Sequence, residues 1–189
     1  MKYQGVHFTP TGAALATEIA LGGSPTPGFV IGGGIYETVV FSASINEVGD
    51  GGGTVPADIE WEPSTLAMVG PFFDIYPVPS IGFHFQSAVG IAVLSAGRGS
   101  GTVDHAEQGR LDVGDGLEPR TFSGAGLMFG VGFEGWIGNQ WSMGFLARLT
   151  YASVASDAPF TDPRTGTDYD VEWRHTVVVP ALLWTTTLH

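Results

Sequence analysis

Eight polar residues stand out because they interrupt otherwise apolar stretches: Glu18, Glu37, Asp74, His84, Gln86, Glu134, Arg148 and Arg174. Carboxylates, an imidazole and a guanidinium in such surroundings could do three kinds of chemistry. They could relay protons or a solute, they could act as a catalytic acid–base pair, or they could neutralise one another inside a closed structure. The third is expected, because a buried charge without a partner is costly. Glu134 and Arg148 share one face of a hairpin but stand at different depths, so each is expected to pair with a neighbouring strand.

Other candidates are weaker. Asp157, Asp162, Asp168 and Asp170 lie close in sequence, as do Asp112, Asp115 and Glu118. Neither group follows the calcium-loop spacing D-x-[DN]-x-[DN]-G, so solvated, self-repelling loops are expected. Asp104 with His105 is the pair nearest to enzyme chemistry, but no G-x-S-x-G motif accompanies it. The glycines at 32–34 and 51–53 do not lead from a strand into a helix, which removes the phosphate-cradle reading. His7, His84, His105, His175 and His189 are dispersed, without ligand spacing, and the chain has no cysteine. No catalytic residue, metal or cofactor is therefore expected, and the chain is not read as an enzyme.

Composition narrows the class. Of 189 residues only 14% are charged, and 29 are glycine. Soluble domains average about 25% charged and about 7% glycine. A net charge of −12 with seven scattered basic residues excludes a nucleic-acid surface, since phosphate binding needs clustered Lys and Arg. The start, MKYQGVHFTP, lacks the apolar core of a signal peptide, so none is expected in this chain.

The elements that must position the polar residues are strands. In IGFHFQSAVGIAVL (81–94) the odd positions are large and mostly apolar, and the even positions are small or polar. That is a period of two. Residues 12–22, 66–76, 124–136 and 141–151 alternate in the same way. Residues 28–43 and 172–188 are ambiguous, although Glu172 and Arg174 share a parity. A helical reading would cost about 1 kcal/mol for each glycine. Tight connections at Ser24–Pro27, Pro77–Ser80 and Gly138–Gln140 alternate with expected long loops at 44–64, 97–121 and 156–171. Those three stretches hold 14 of the 19 acidic residues.

A meander of this kind can face water, lipid or a core. Its second face is Gly, Ala and Ser with a few polar residues, which makes a poor solvent surface and a good filling for a narrow barrel. The bulky face then points outward, toward hydrocarbon. Strand lengths agree, since a spanning strand needs about 9–11 residues. Tyr76, Trp136, Trp141, Tyr151 and Trp173 lie near strand ends, where membrane-interface aromatics belong.

The hairpin GFEGWIGNQWSMGFLARLTY (132–151) and the last strand HTVVVPALLWTTTLH (175–189) carry a resemblance. The chain resembles the small outer-membrane β-barrel proteins, of the kind seen in the OmpA transmembrane domain, OmpX and OmpW. The likeness covers nearly the whole chain and rests on architecture. The chain departs from it by ending in His189 instead of Phe or Trp, and by Pro180, which would cost a ladder hydrogen bond unless it sits at a bulge.

The resemblance implies one domain over 1–189, an all-β antiparallel up-and-down transmembrane β-barrel of eight strands, in the bacterial outer membrane. Residues 2–8 are the candidate for the first of those strands. Lipid, lipopolysaccharide phosphates bridged by divalent cations, the barrel-assembly machinery and a protein at the extracellular loops would be its partners. The expected role is structural, adhesive or interactive, with a lumen filled by side chains. A narrow channel for small hydrophobic ligands and a soluble lipocalin-like barrel are the alternatives.

Overall fold

In the computed structural model, residues 7–8, 12–49, 54–105, 109–112, 119–137, 140–161 and 168–188 are described, with side chains for 12–44, 56–102, 119–137, 140–156 and 174–188. The described residues are almost all strand: β1 (His7–Phe8), β2 (Ala14–Thr26), β3 (Phe29–Val40), β4 (Ala43–Gly49), β5 (Thr54–Trp61), β6 (Ser64–Ile75), β7 (Phe83–Ala96), β8 (Gly99–His105), β9 (Gly109–Asp112), β10 (Arg120–Trp136), β11 (Trp141–Thr161) and β12 (Asp168–Leu188). No helix among them is long and apolar enough to cross a membrane.

The strands make two sheets. The larger runs β12-β11-β10-β7-β6-β3-β2 and curls as an antiparallel half-barrel. The smaller runs β1-β4-β5-β8-β9. By contacts the chain divides into two compact units, one holding 1–15, 38–65 and 95–121, the other 16–37, 66–94 and 122–189.

Three expectations are corrected here. The stretches 44–64, 97–121 and 156–171 are not loops for most of their length. β4 pairs with β5 and β8 with β9, while β11 and β12 stay paired out to Thr161 and Asp168. Glycine and acidic residues do not exclude pairing where both strands of a hairpin continue in register. Next, the curled sheet has seven strands instead of eight. Of the expected first strand, His7 and Phe8 pair with Gly49 and Val48 of β4 in the smaller sheet, and 2–6 lie outside the described residues. Lastly, Pro180 is not at a bulge. It faces Leu149 in an unbroken register, tolerated because β12 is an edge strand.

Alternation sets the two faces of the larger sheet. On β10 and β11, Met128, Glu134, Leu146, Arg148 and Thr150 are buried, while Phe129, Phe133, Phe145 and Leu149 are exposed. The register explains the glycines. Across β10 and β11, Gly130 faces Arg148 and Gly132 faces Leu146, while Gly144 faces Glu134. Arg148, Leu146 and Glu134 therefore each have a glycine across the ladder. A Cβ on Gly126 would come 2.6 Å from Met68 Sδ, and one on Gly132 would enter the His84 ring. Gly82 is needed for its backbone as well. It closes the Pro79–Ile81 turn at φ 70°, and Glu134 N–H donates to its carbonyl at 3.0 Å.

Candidate functional site: the inner face of the curled sheet

Close approach of Gly70 to Gly90, and ring contact between Tyr76 and His84 at 4.8 Å, share one register between β6 and β7. That register sets Asp74 opposite Gln86. On the next strands, Gly130 faces Arg148, and a Cβ there would come 2.8 Å from Leu146 Cδ1. The long side chains of Gln86 and Arg148 both reach Glu18 of β2, at the end of the sheet order. Gln86 Nε2 donates to Glu18 Oε1 at 2.9 Å, and Arg148 Nη1 donates to Glu18 Oε2 at 3.1 Å. The Tyr36 ring lies 6.0 Å from the guanidinium carbon, an outer-limit cation–π distance. This contact between first and sixth strands is what the curl makes possible.

A second network gathers near the short turns. Ser142 Oγ donates to Glu134 Oε2 at 2.7 Å, and Thr187 Oγ1 donates to Glu134 Oε1 at 2.8 Å. The Tyr76 side chain lies beside both Asp74 and Glu134. His84 stands beside them, its Nδ1 3.3 Å from the Gly82 carbonyl. Buried atoms of five inward residues lack a hydrogen-bond partner among the described residues: Tyr36 OH, Asp74 Oδ1, Gln86 Oε1, Arg148 Nε and Thr185 Oγ1. Among the described residues no cluster of three metal-ligating side chains occurs.

Beyond Glu18 and Arg148, away from the short turns, the inner face becomes apolar. Tyr36, Met68, Phe72, Ala88 and Met128 form one packed cluster. Met68 and Met128 are fully buried there. Thioethers fill irregular space well, and eight-stranded barrels have interiors just wide enough for side chains.

Six of the expected lumen residues therefore point inward: Glu18, Asp74, His84, Gln86, Glu134 and Arg148. Glu37 and Arg174 do not. Both are exposed on the outward parity of their strands, and they are corrected here. The reason is that 28–43 and 172–188 are apolar on both parities. Tyr36 takes the inward place on β3 by lying over Gly34, and on β12 Leu183 is buried while Leu182 and Trp184 are exposed. Tyr76 is also corrected. It is a half-buried inward ring on His84, not an outer-surface aromatic. Trp136, Trp141 and Tyr151 are exposed. Trp173 of β12 pairs with Ser156 of β11, and its side chain falls outside the described set. So do those of Asp104, His105, Asp112, Asp157, Asp168 and Asp170, while Asp115, Glu118 and Asp162 lie outside the described residues altogether.

Ser142, Thr187 and Tyr36 are not among the expected site residues, and Tyr76 is expected at the membrane interface instead of on the inner face. Ser142 shares the inward parity of Arg148, which was legible. That its partner is Glu134 depended on the β10–β11 register. Compared with protein-family models, curated proteins and solved structures, the chain matches none.

Proposed function

We propose that the chain is an integral outer-membrane β-barrel protein with a side-chain-filled interior, acting by contact with partners through its acidic segments. One observation carries this reading. The outward face of the curled sheet is a continuous field of exposed large apolar residues, among them Ile19, Ile35, Ile91, Phe129, Phe145 and Trp184. The charges that cross the apolar stretches of its strands are mostly on the inner face. Soluble monomers rarely expose contiguous apolar patches beyond a few hundred Å², and a lipid-facing barrel must. The buried methionines and the two hydrogen-bonded networks support a filled interior over a conducting one. The acidic residues concentrated at 44–64, 97–121 and 156–171 support contact with cationic groups or with divalent ions bridging lipopolysaccharide phosphates.

Reconstitution tests the reading. The protein should need detergent or lipid to stay monodisperse. Phe129→Arg should lower its stability in bilayers by about 2–4 kcal/mol if that position lies near the midplane. Monodispersity in plain buffer, with Phe129→Arg harmless, would replace the membrane barrel with a soluble one.

A further inference from the structure

The curled sheet has seven strands, alternately antiparallel, so its two edge strands β2 and β12 run in the same direction. Among the described residues neither edge has a strand beside it. The edge side chains show the open side. Ile19 and Leu21 of β2 are 72% and 80% exposed and Leu182 of β12 is 75% exposed, whereas Phe129 and Phe133 in mid-sheet are 56% and 59% exposed. On the inward side, every even position from Gly126 to Glu134 on β10 is buried, while Ala16, Glu18 and Ala20 of β2 are only half-buried. Yet the two ends of the sheet do not splay apart, because Arg148 on β11 holds Glu18 on β2. The result is a seam bounded by β2 and β12, each with a row of backbone donors and acceptors on its free side.

We propose that this seam is a strand-acceptor site, filled by one extended peptide segment from outside residues 1–189 that pairs antiparallel with both β2 and β12. The inference rests on the lipid-facing reading of the outer surface, since hydrocarbon leaves an unpaired edge with no water to satisfy it. Direction decides the occupant. Direct closure of β2 on β12 would be a parallel pair. A second copy in the same membrane orientation also offers its free edges only in that parallel direction. A segment running the opposite way matches both edges at once and brings the count to the even number usual for bacterial barrels. The chemistry of the segment follows from its neighbours. It needs about ten residues to span. Alternate positions are large and apolar, to continue the outer field of Ile19 and Leu182. The inward positions are small, because the Glu18–Arg148 pair lies directly behind them. Pro25 and Pro180 remove one donor each from the edges and leave the remaining row intact. Backbone pairing of this kind supplies affinity, and the side-chain alternation supplies selectivity.

The absence of cysteine makes the test clean. The probe is a synthetic peptide copying residues 29–40, the natural antiparallel partner of β2, with Ile35→Cys and with Tyr36→Ala to keep that inward position small. It is mixed with detergent-folded protein carrying Ile19→Cys or Leu182→Cys. The expected result is a peptide–protein disulfide with both variants, a raised thermal midpoint, and neither effect with a scrambled peptide. A disulfide within one chain of the Ile19→Cys/Leu182→Cys double variant would overturn the proposal in favour of direct closure. A disulfide between two protein chains would overturn it in favour of self-association, and failure to take up peptide would overturn it outright. If the protein folds in detergent and is insoluble without it, any of these failures leaves the membrane reading standing. Monodispersity in plain buffer sinks that reading separately.

Discussion

Near its short turns, the inner face of the curled sheet is held by hydrogen bonds from Ser142 and Thr187 to Glu134, with Asp74 and Tyr76 beside them. Beyond Glu18 and Arg148 it is held by Met68, Ala88 and Met128, packed against Tyr36 and Phe72. The two regions lie on the same strands, with the same alternation and the same glycines, and differ in what fills the space. Packing is tolerant, because a methionine adapts its shape to its neighbours. A buried polar network is not, because a partner removed leaves another group unsatisfied in a low-dielectric site. The polar region should therefore be the part that specifies one arrangement of the curl, and the apolar region the part that adds bulk stability.

The largest effect is expected where the two regions meet. Arg148→Ala leaves Glu18 without its cation and should cost about 3–5 kcal/mol, read from the urea midpoint in detergent. The double change Glu18→Ala/Arg148→Ala should cost clearly less than the sum of the two single changes, since it removes both partners. Simple additivity would mean the pair is not coupled. Met128→Ala is next, at about 2–5 kcal/mol for loss of a fully buried side chain. Its cost should be softened by relaxation of Met68, so that the double truncation is less than additive.

Glu134→Ala should cost about 2–3 kcal/mol, because the Ser142 and Thr187 hydroxyls lose their acceptor. An effect no larger than that of a solvent-exposed acidic residue would erase the distinction between the two regions. Ser142→Ala is the mildest, at about 1 kcal/mol for one hydrogen bond. If it equals Met128→Ala, the polar region is stiffer than the hydrogen bonds alone require.

Much of the curled sheet was legible before any coordinates. Residues 81–94, 124–136 and 141–151 alternate strictly, and β7, β10 and β11 appear there with bulky residues outward. Legibility failed where a strand is apolar on both parities. Glu37 on β3 and Arg174 on β12 were assigned to the wrong face, because a one-residue shift of parity exchanges the faces and nothing local opposed it. It failed again at 44–64 and 97–121, where glycine and acidic residues resembled loop composition but the hairpins continued as β4–β5 and β8–β9.

The linear chain determined that these segments are strands, that one face of most of them is large and apolar, and that glycines alternate with the residues needing space. Those properties depend on a period of two and on side-chain size, both local. Only the tertiary structure decided that Glu18 belongs with Arg148 and Gln86, that Ser142 and Thr187 belong with Glu134, and that seven strands leave a seam. Each of these depends on register, stagger and curl across distant strands, and no stretch of residues carries them by itself.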